Sequence, residues 1–259
     1  MPNWARNEIK ATGTQEDLER FRKAVASERS VFDFQKIIPM SESLRIVEGS
    51  CTNTAMLAYA LMVQDVNTME TVKKYLLKGT YYDENSFERD LREAKALREK
   101  WNGTPLDADK TVIHYEEHPA NDFAVYAEYG RVYLQNIREH GFPTWYEWAC
   151  ENWWTKWNAA DAKIGEIANN DDGTSILSIW FATAWTLPGG ILQKMAQMFP
   201  EIAFSGRWNV ENEWIDHFWV AKGDDIHVIE ADNETELRAA CACWSYDYDK
   251  YIACLAEYA

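Results

Sequence analysis

The stretch His114-Tyr115-Glu116-Glu117-His118 places two histidines and a glutamate at the H-x-x-E-H spacing of some zinc proteases. That chemistry needs both imidazoles on one helical face, one turn apart, with the carboxylate beside them. Here Thr111-Val112-Ile113 leans towards strand, and Pro119 biases His118 out of the α region. The motif therefore reads as a solvated charged turn. A second group, Glu213 and His217 with His227, has the side chains of an acid/base pair. On a strand 213, 215 and 217 share a face and Asp216 points away. A cross-strand pair on a solvated face is the first reading; the alternative is a small-ligand-binding protein or hydrolase with a pocket between the sheet and a helical insertion. Cys241-Ala-Cys243 is too tight for a zinc knuckle, and no G-x-S-x-G occurs. Pro188-Gly189-Gly190 opens a helix whose free N–H groups could hold an anion, but without a following G-K-[ST] it reads as a turn. No catalytic residue, metal ligand or cofactor is expected.

Charge says more. The net charge is −16, and the whole excess lies in residues 101–259, residues 1–100 being balanced. Such a surface repels phosphate backbones and attracts basic partners. Direct nucleic-acid binding is not expected. Glu211, Glu213, Asp216, Asp224, Asp225, Glu230 and Asp232 are the C-terminal carboxylates expected to meet a protein with a basic surface.

Residues 145–161, WYEWACENWWTKWNAAD, hold five of the 13 tryptophans. Base stacking would require a basic groove, whereas the only base here is Lys156 against Glu147, Glu151 and Asp161. A structural hinge is expected instead. Trp145 and Trp148 would pack one helical turn apart. Trp153 and Trp157 would be buried where the chain re-enters a sheet, with Asn152, Thr155 and Lys156 satisfying the turn. Trp154 is expected to be exposed and to be the tryptophan that touches a partner.

The elements that must position these residues follow from pattern. Residues 7–12 read as a strand. Thr14 with Asp17 caps a helix carrying Leu18, Phe21, Ala24 and Val25 on one face. Residues 52–100 read as helices, and 122–140 as another ending at Gly141. After Asp171-Asp172-Gly173 the pattern turns to strands, around a short helix in ILQKMAQMFP, residues 191–200. A terminal helix starts at Asn233, with Glu236 in the capping-box position. A lone strand and helix separated from most of a sheet by helices predicts an α+β fold. No run of 18 apolar residues predicts a membrane span, and the N-terminus lacks the apolar core of a secretion signal.

Four segments resemble one family. MPNWARNEIKATG with Trp4, FDFQKIIPM, WYEWACENWWTKWNAAD and FATAWTLPGGILQKMAQMFP follow, in order, the motifs of the YubB-type ferredoxin-like proteins of phages, prophages and plasmids. Three positions depart from that pattern: Ala5 stands for cysteine, Trp154 for glycine and Gly189 for a second proline. A glycine of positive φ at 154 would oblige tryptophan to take another geometry. The resemblance implies a ferredoxin-like antiparallel sheet from residues 1–40 and 174–259, helices on one face, and a mostly helical insertion at 41–173. It also implies a mobile-element protein in the cytoplasm of a bacterial host, and brings no catalytic residues. The function expected is a non-enzymatic acidic protein binding a host or viral protein, with antagonism of a host defence system, by DNA mimicry, as one version.

Overall fold

Small or apolar residues alternate with polar ones along β1 (Trp4–Gly13), sending Ala5, Asn7, Ile9 and Ala11 into a core. The computed structural model describes residues 3–49, 51–79, 82–103, 122–211, 215–223 and 225–258. They form two compact units: a sheet unit of residues 1–39 and 149–259, and a helical unit of residues 40–148.

In the sheet unit β1 lies between β4 (Ser175–Ala184) and β5 (Ala203–Val210), antiparallel to both. β2 (Ala160–Ile164) and β3 (Ala168–Asn169) pair with β4, while β6 (His217–Lys222) and β7 (Asp225–Val228) extend the sheet beyond β5. Helices α1 (Gln15–Ala24) and α7 (Gly189–Met198) bury Leu18, Phe21, Ile191, Leu192 and Met195. Phe21 meets Phe199 and Phe204 edge-on at 5.1 and 5.3 Å. Strand β1, helix α1, strands β2 and β4, helix α7 and strand β5, with β1 central, make the expected α+β ferredoxin-like antiparallel sheet.

Two boundaries differ from those read in the sequence. The sheet unit resumes at Ala149, before the expected residue 174, because β2 and β3 are already hydrogen-bonded to β4. The register breaks between Ala160 and Lys163 around Asp161, whose φ is 51°, so strand alternation is hidden there. The expected terminal helix is two helices, α8 (Glu234–Cys243) and α9 (Tyr248–Tyr258), broken where Ser245 takes φ 60°. This pair adds a layer on the second face of the sheet, where Leu237, Ala240, Cys241 and Trp244 surround Phe218.

The helical unit contains α2 (Cys51–Val63), α3 (Val66–Leu76), α4 (Glu84–Lys100), α5 (Phe123–His140) and the first half of α6 (Trp145–Asn152). Helix α2 is apolar all round and is buried from Cys51 to Ala60 along most of its residues. Its partner α5 approaches so closely that a side chain at Gly130 would overlap the Ala55 carbonyl. Gly141, at φ 84°, closes α5 as the sequence predicted. Among the described residues no helix is long and apolar enough to cross a membrane.

A tryptophan-rich candidate interaction site

The four family-like segments meet at one end of the sheet. Trp153, 3% exposed, donates its indole N–H to the Ile38 carbonyl (3.0 Å) and stands edge-on to Phe34 at 5.7 Å. Asn158 accepts from the Phe34 N–H (2.9 Å) and donates to Asp33 (2.7 Å). Thr155, fully enclosed, donates from its hydroxyl to the Ala184 carbonyl (2.8 Å), tying the loop at 153–158 to the loop after β4. The Trp185 N–H bonds the Asn3 carbonyl (2.9 Å), and the Trp4 N–H bonds the Glu211 carboxylate (3.2 Å). Trp4 lies against Trp157 with ring centroids 5.9 Å apart.

On this frame three tryptophans remain open to solvent: Trp154 (53% exposed), Trp185 (41%) and Trp157 (37%). The Lys156 ammonium sits 4.1 Å from the centroid of Trp157 and 4.2 Å from that of Trp185, a cation held by two indole faces. Trp157 was expected to be buried; it is instead partly covered by Lys156 and Trp4 and open elsewhere. Trp154 is exposed as expected, but its backbone is not what its bulk suggested. At φ 64° it occupies the left-handed region, and Trp185 does so too, at 74°. Such geometry costs about 1–3 kcal/mol for a residue with a side chain, and it collects where function requires it. Trp154 keeps a glycine-like backbone because its ring lies where side chains at Gly189 would be. The two departures at 154 and 189 are thus complementary in space. Asn152 ends α6, its carbonyl lying against Gly190. Trp185 was missed by sequence reasoning, although it stands in the quoted segment FATAWTLPGG.

The acidic candidates separate. Asp216 is drawn inward by Arg207 (3.1 Å) and by the Tyr246 hydroxyl, while Arg207 also holds Glu8 (2.6 Å). Burial, together with the Asp216 hydrogen bond and charge, pushes Tyr246 up to about 12. Asp225 accepts from Gln193 (2.9 Å) and pairs in register with Lys222, at the far end of the sheet from Glu211. Glu230 and Asp232 are exposed beyond β7, whose end lies beside the start of β6 and so beside the end of β5 that precedes Glu211. Glu213 and Asp224 lie outside the described residues, as do His114, Glu117 and His118.

The alternative acid/base group is not assembled by its two described members. His217 packs on Trp208 at 5.0 Å, on the face carrying α1 and α7. His227 contacts Glu236 (2.6 Å) on the opposite face, in register with Val220. Among the described residues no group of three His, Cys, Asp or Glu side chains is placed to hold a metal ion.

Residues 152–240 match a family model described as a ferredoxin-like domain in Api92-like protein. No curated protein matches the chain. Among solved structures, the chain is similar to the crystal structure of a protein api92 from Yersinia pseudotuberculosis, at 10% identity over 89% of this chain and 99% of that one. The TM-score is 0.39, so that likeness carries no argument. The family match supports a ferredoxin-like relationship and brings no activity with it.

Proposed function

We propose that this protein is a non-enzymatic binding protein that engages a basic protein segment through the tryptophan end of its sheet. The carrying observation is that Trp154 and Trp185 are both exposed and both at positive φ, with Lys156 lying over the ring of Trp185 and the ring of Trp154 lying against Gly189. Exposed indoles are efficient interface anchors, and with Lys156 already over Trp185, the ring of Trp154 is the one proposed to receive an arginine or lysine side chain. Glu211 lies at that end, its carboxylate held by the Trp4 N–H. Glu230 and Asp232 follow β7 at the opposite edge of the sheet, adding longer-range charge that draws a basic partner. A host or viral protein met by a mobile-element product in the bacterial cytoplasm is the finer form of this reading. DNA mimicry draws less support, since Asp216 is neutralised internally and Asp225 lies at the other end.

An arginine-rich peptide titrated into the full chain at low salt provides the test. Binding should weaken roughly tenfold in Trp154→Ser/Trp185→Ser. It should also weaken in Glu211→Gln/Glu230→Gln/Asp232→Asn, and be nearly unchanged in Asp225→Lys. Equal binding by the native chain and the tryptophan variant would show adsorption to a diffuse acidic surface and end the proposal.

A further inference from the structure

A cavity of about 470 Å³ lies within the helical unit, with Glu48, Thr52, Tyr75, Lys78, Tyr82 and Glu147 in its lining. Four segments supply them: the approach to α2 and its first turn, the last turn of α3 and its exit, the approach to α4, and α6. Neither carboxylate is held by a cation among the described residues. Glu48 is held by the Thr144 hydroxyl and Glu147 by the Tyr75 hydroxyl at 2.8 Å. Neutral donors orient a carboxylate without cancelling its charge, so the pair presents anionic oxygen to whatever enters. Lys78 is exposed and makes no ion pair with either, so the lining is net negative among the described residues.

Two further features distinguish this cavity from a cluster of surface acids. Thr52 is only 4% exposed and lines the cavity. Among the described residues its hydroxyl makes no direct hydrogen bond, although the Tyr133 hydroxyl and the Cys51 thiol are close to it, so it is a buried polar group with capacity to spare. The Tyr82 hydroxyl is engaged by Asp90 (2.8 Å), which leaves its ring as a wall. Two carboxylates without a third ligand are a poor metal site, whereas carboxylates with phenol rings suit an organic cation. The volume falls in the usual range for a small ligand.

We infer that this cavity binds a small organic amine, its ammonium received by Glu48 and Glu147 and its carbon chain lying against Tyr75 and Tyr82. Burial, reinforced by the Glu147 charge, raises the Glu48 carboxyl above its ordinary value, and an ammonium placed there relieves that repulsion.

The test uses the full chain titrated calorimetrically with putrescine, with butanediol as its uncharged isostere and Mg²⁺ as a separate arm. Putrescine should bind saturably at one site and butanediol should not bind. Glu48→Gln and Glu147→Gln, each folded by circular dichroism, should weaken putrescine roughly tenfold, and Thr52→Val severalfold. Glu16→Gln, an exposed carboxylate in the first turn of α1, is the surface control and should leave affinity unchanged. Three outcomes would overturn the inference: no saturable putrescine heat, equal weakening by the surface control, or Mg²⁺ binding tightly with the same sensitivity to the two glutamine variants.

Discussion

The ring of Trp154 lies where side chains at Gly189 would be, so the two positions have to be considered as one. A methyl group at 189 drives into that ring, and Gly189→Ala should cost about 1–3 kcal/mol by overpacking. Trp154→Gly should be close to neutral: it releases the strain at φ 64°, but frees the unfolded chain and exposes Gly189. In Trp154→Gly/Gly189→Ala the alanine should then be tolerated, giving a coupling of about 1–2 kcal/mol in urea denaturation. If alanine at 189 costs the same with and without the indole, the ring is not its obstacle. Trp153, by contrast, is core, and Trp153→Ala should cost about 3–5 kcal/mol. Glu48 yields a prediction in pH. Its folded pKa is raised above the ordinary 4.5, chiefly by burial. Its favourable contribution is therefore complete below that value and lost as pH rises through the folded value. Glu48→Gln should match the native melting temperature near pH 4 and exceed it at pH 7, and saturating putrescine should narrow the gap at pH 7. A variant that melts lower than native at pH 7 would show the charge to be stabilising.

At the scale of elements, α5 approaches α2 closely at Gly130. On an isolated helix alanine would be favoured over glycine by about 1 kcal/mol. Here a Cβ would overlap a backbone carbonyl, which has no rotamer to give way, so Gly130→Ala should destabilise by about 1–3 kcal/mol, read by thermal or urea unfolding. A gain in stability would mean that the helices are further apart. What the sequence reveals of the elements follows the strength of local signals. Thr14, Asn233 and Gly141 each cap a helix where expected, because capping is encoded within a few residues. Strand β2 was hidden by its alanines and by the bulge at Asp161, and the break at Ser245 interrupts a segment whose composition is helical throughout. The site residues divide in the same way. Exposure of Trp154 was legible as a departure from a pattern, but its positive φ was not, since the space that permits it is made by Gly189, 35 positions on. The Glu48–Glu147 cavity left no local trace at all, its two carboxylates being 99 positions apart.

For the molecule as a whole, the division into two units makes the two binding readings separable. The helical unit has a core of its own, running from Ile46 through Leu134. The sheet unit closes without it: the Ile38 carbonyl already accepts from Trp153, four residues beyond the point where the unit resumes at Ala149. A short Gly/Ser linker can therefore replace residues 40–148 with little loop-closure cost. The shortened chain should fold cooperatively, retain the near-ultraviolet circular dichroism of its buried Trp153 and Trp219, and bind the arginine-rich peptide with native affinity. It should bind no putrescine. A shortened chain that folds yet fails to hold the peptide would remove the tryptophan end from the proposed function. One that folds and still takes up putrescine would move the amine site out of the helical unit, because neither Glu48 nor Glu147 would remain to receive it.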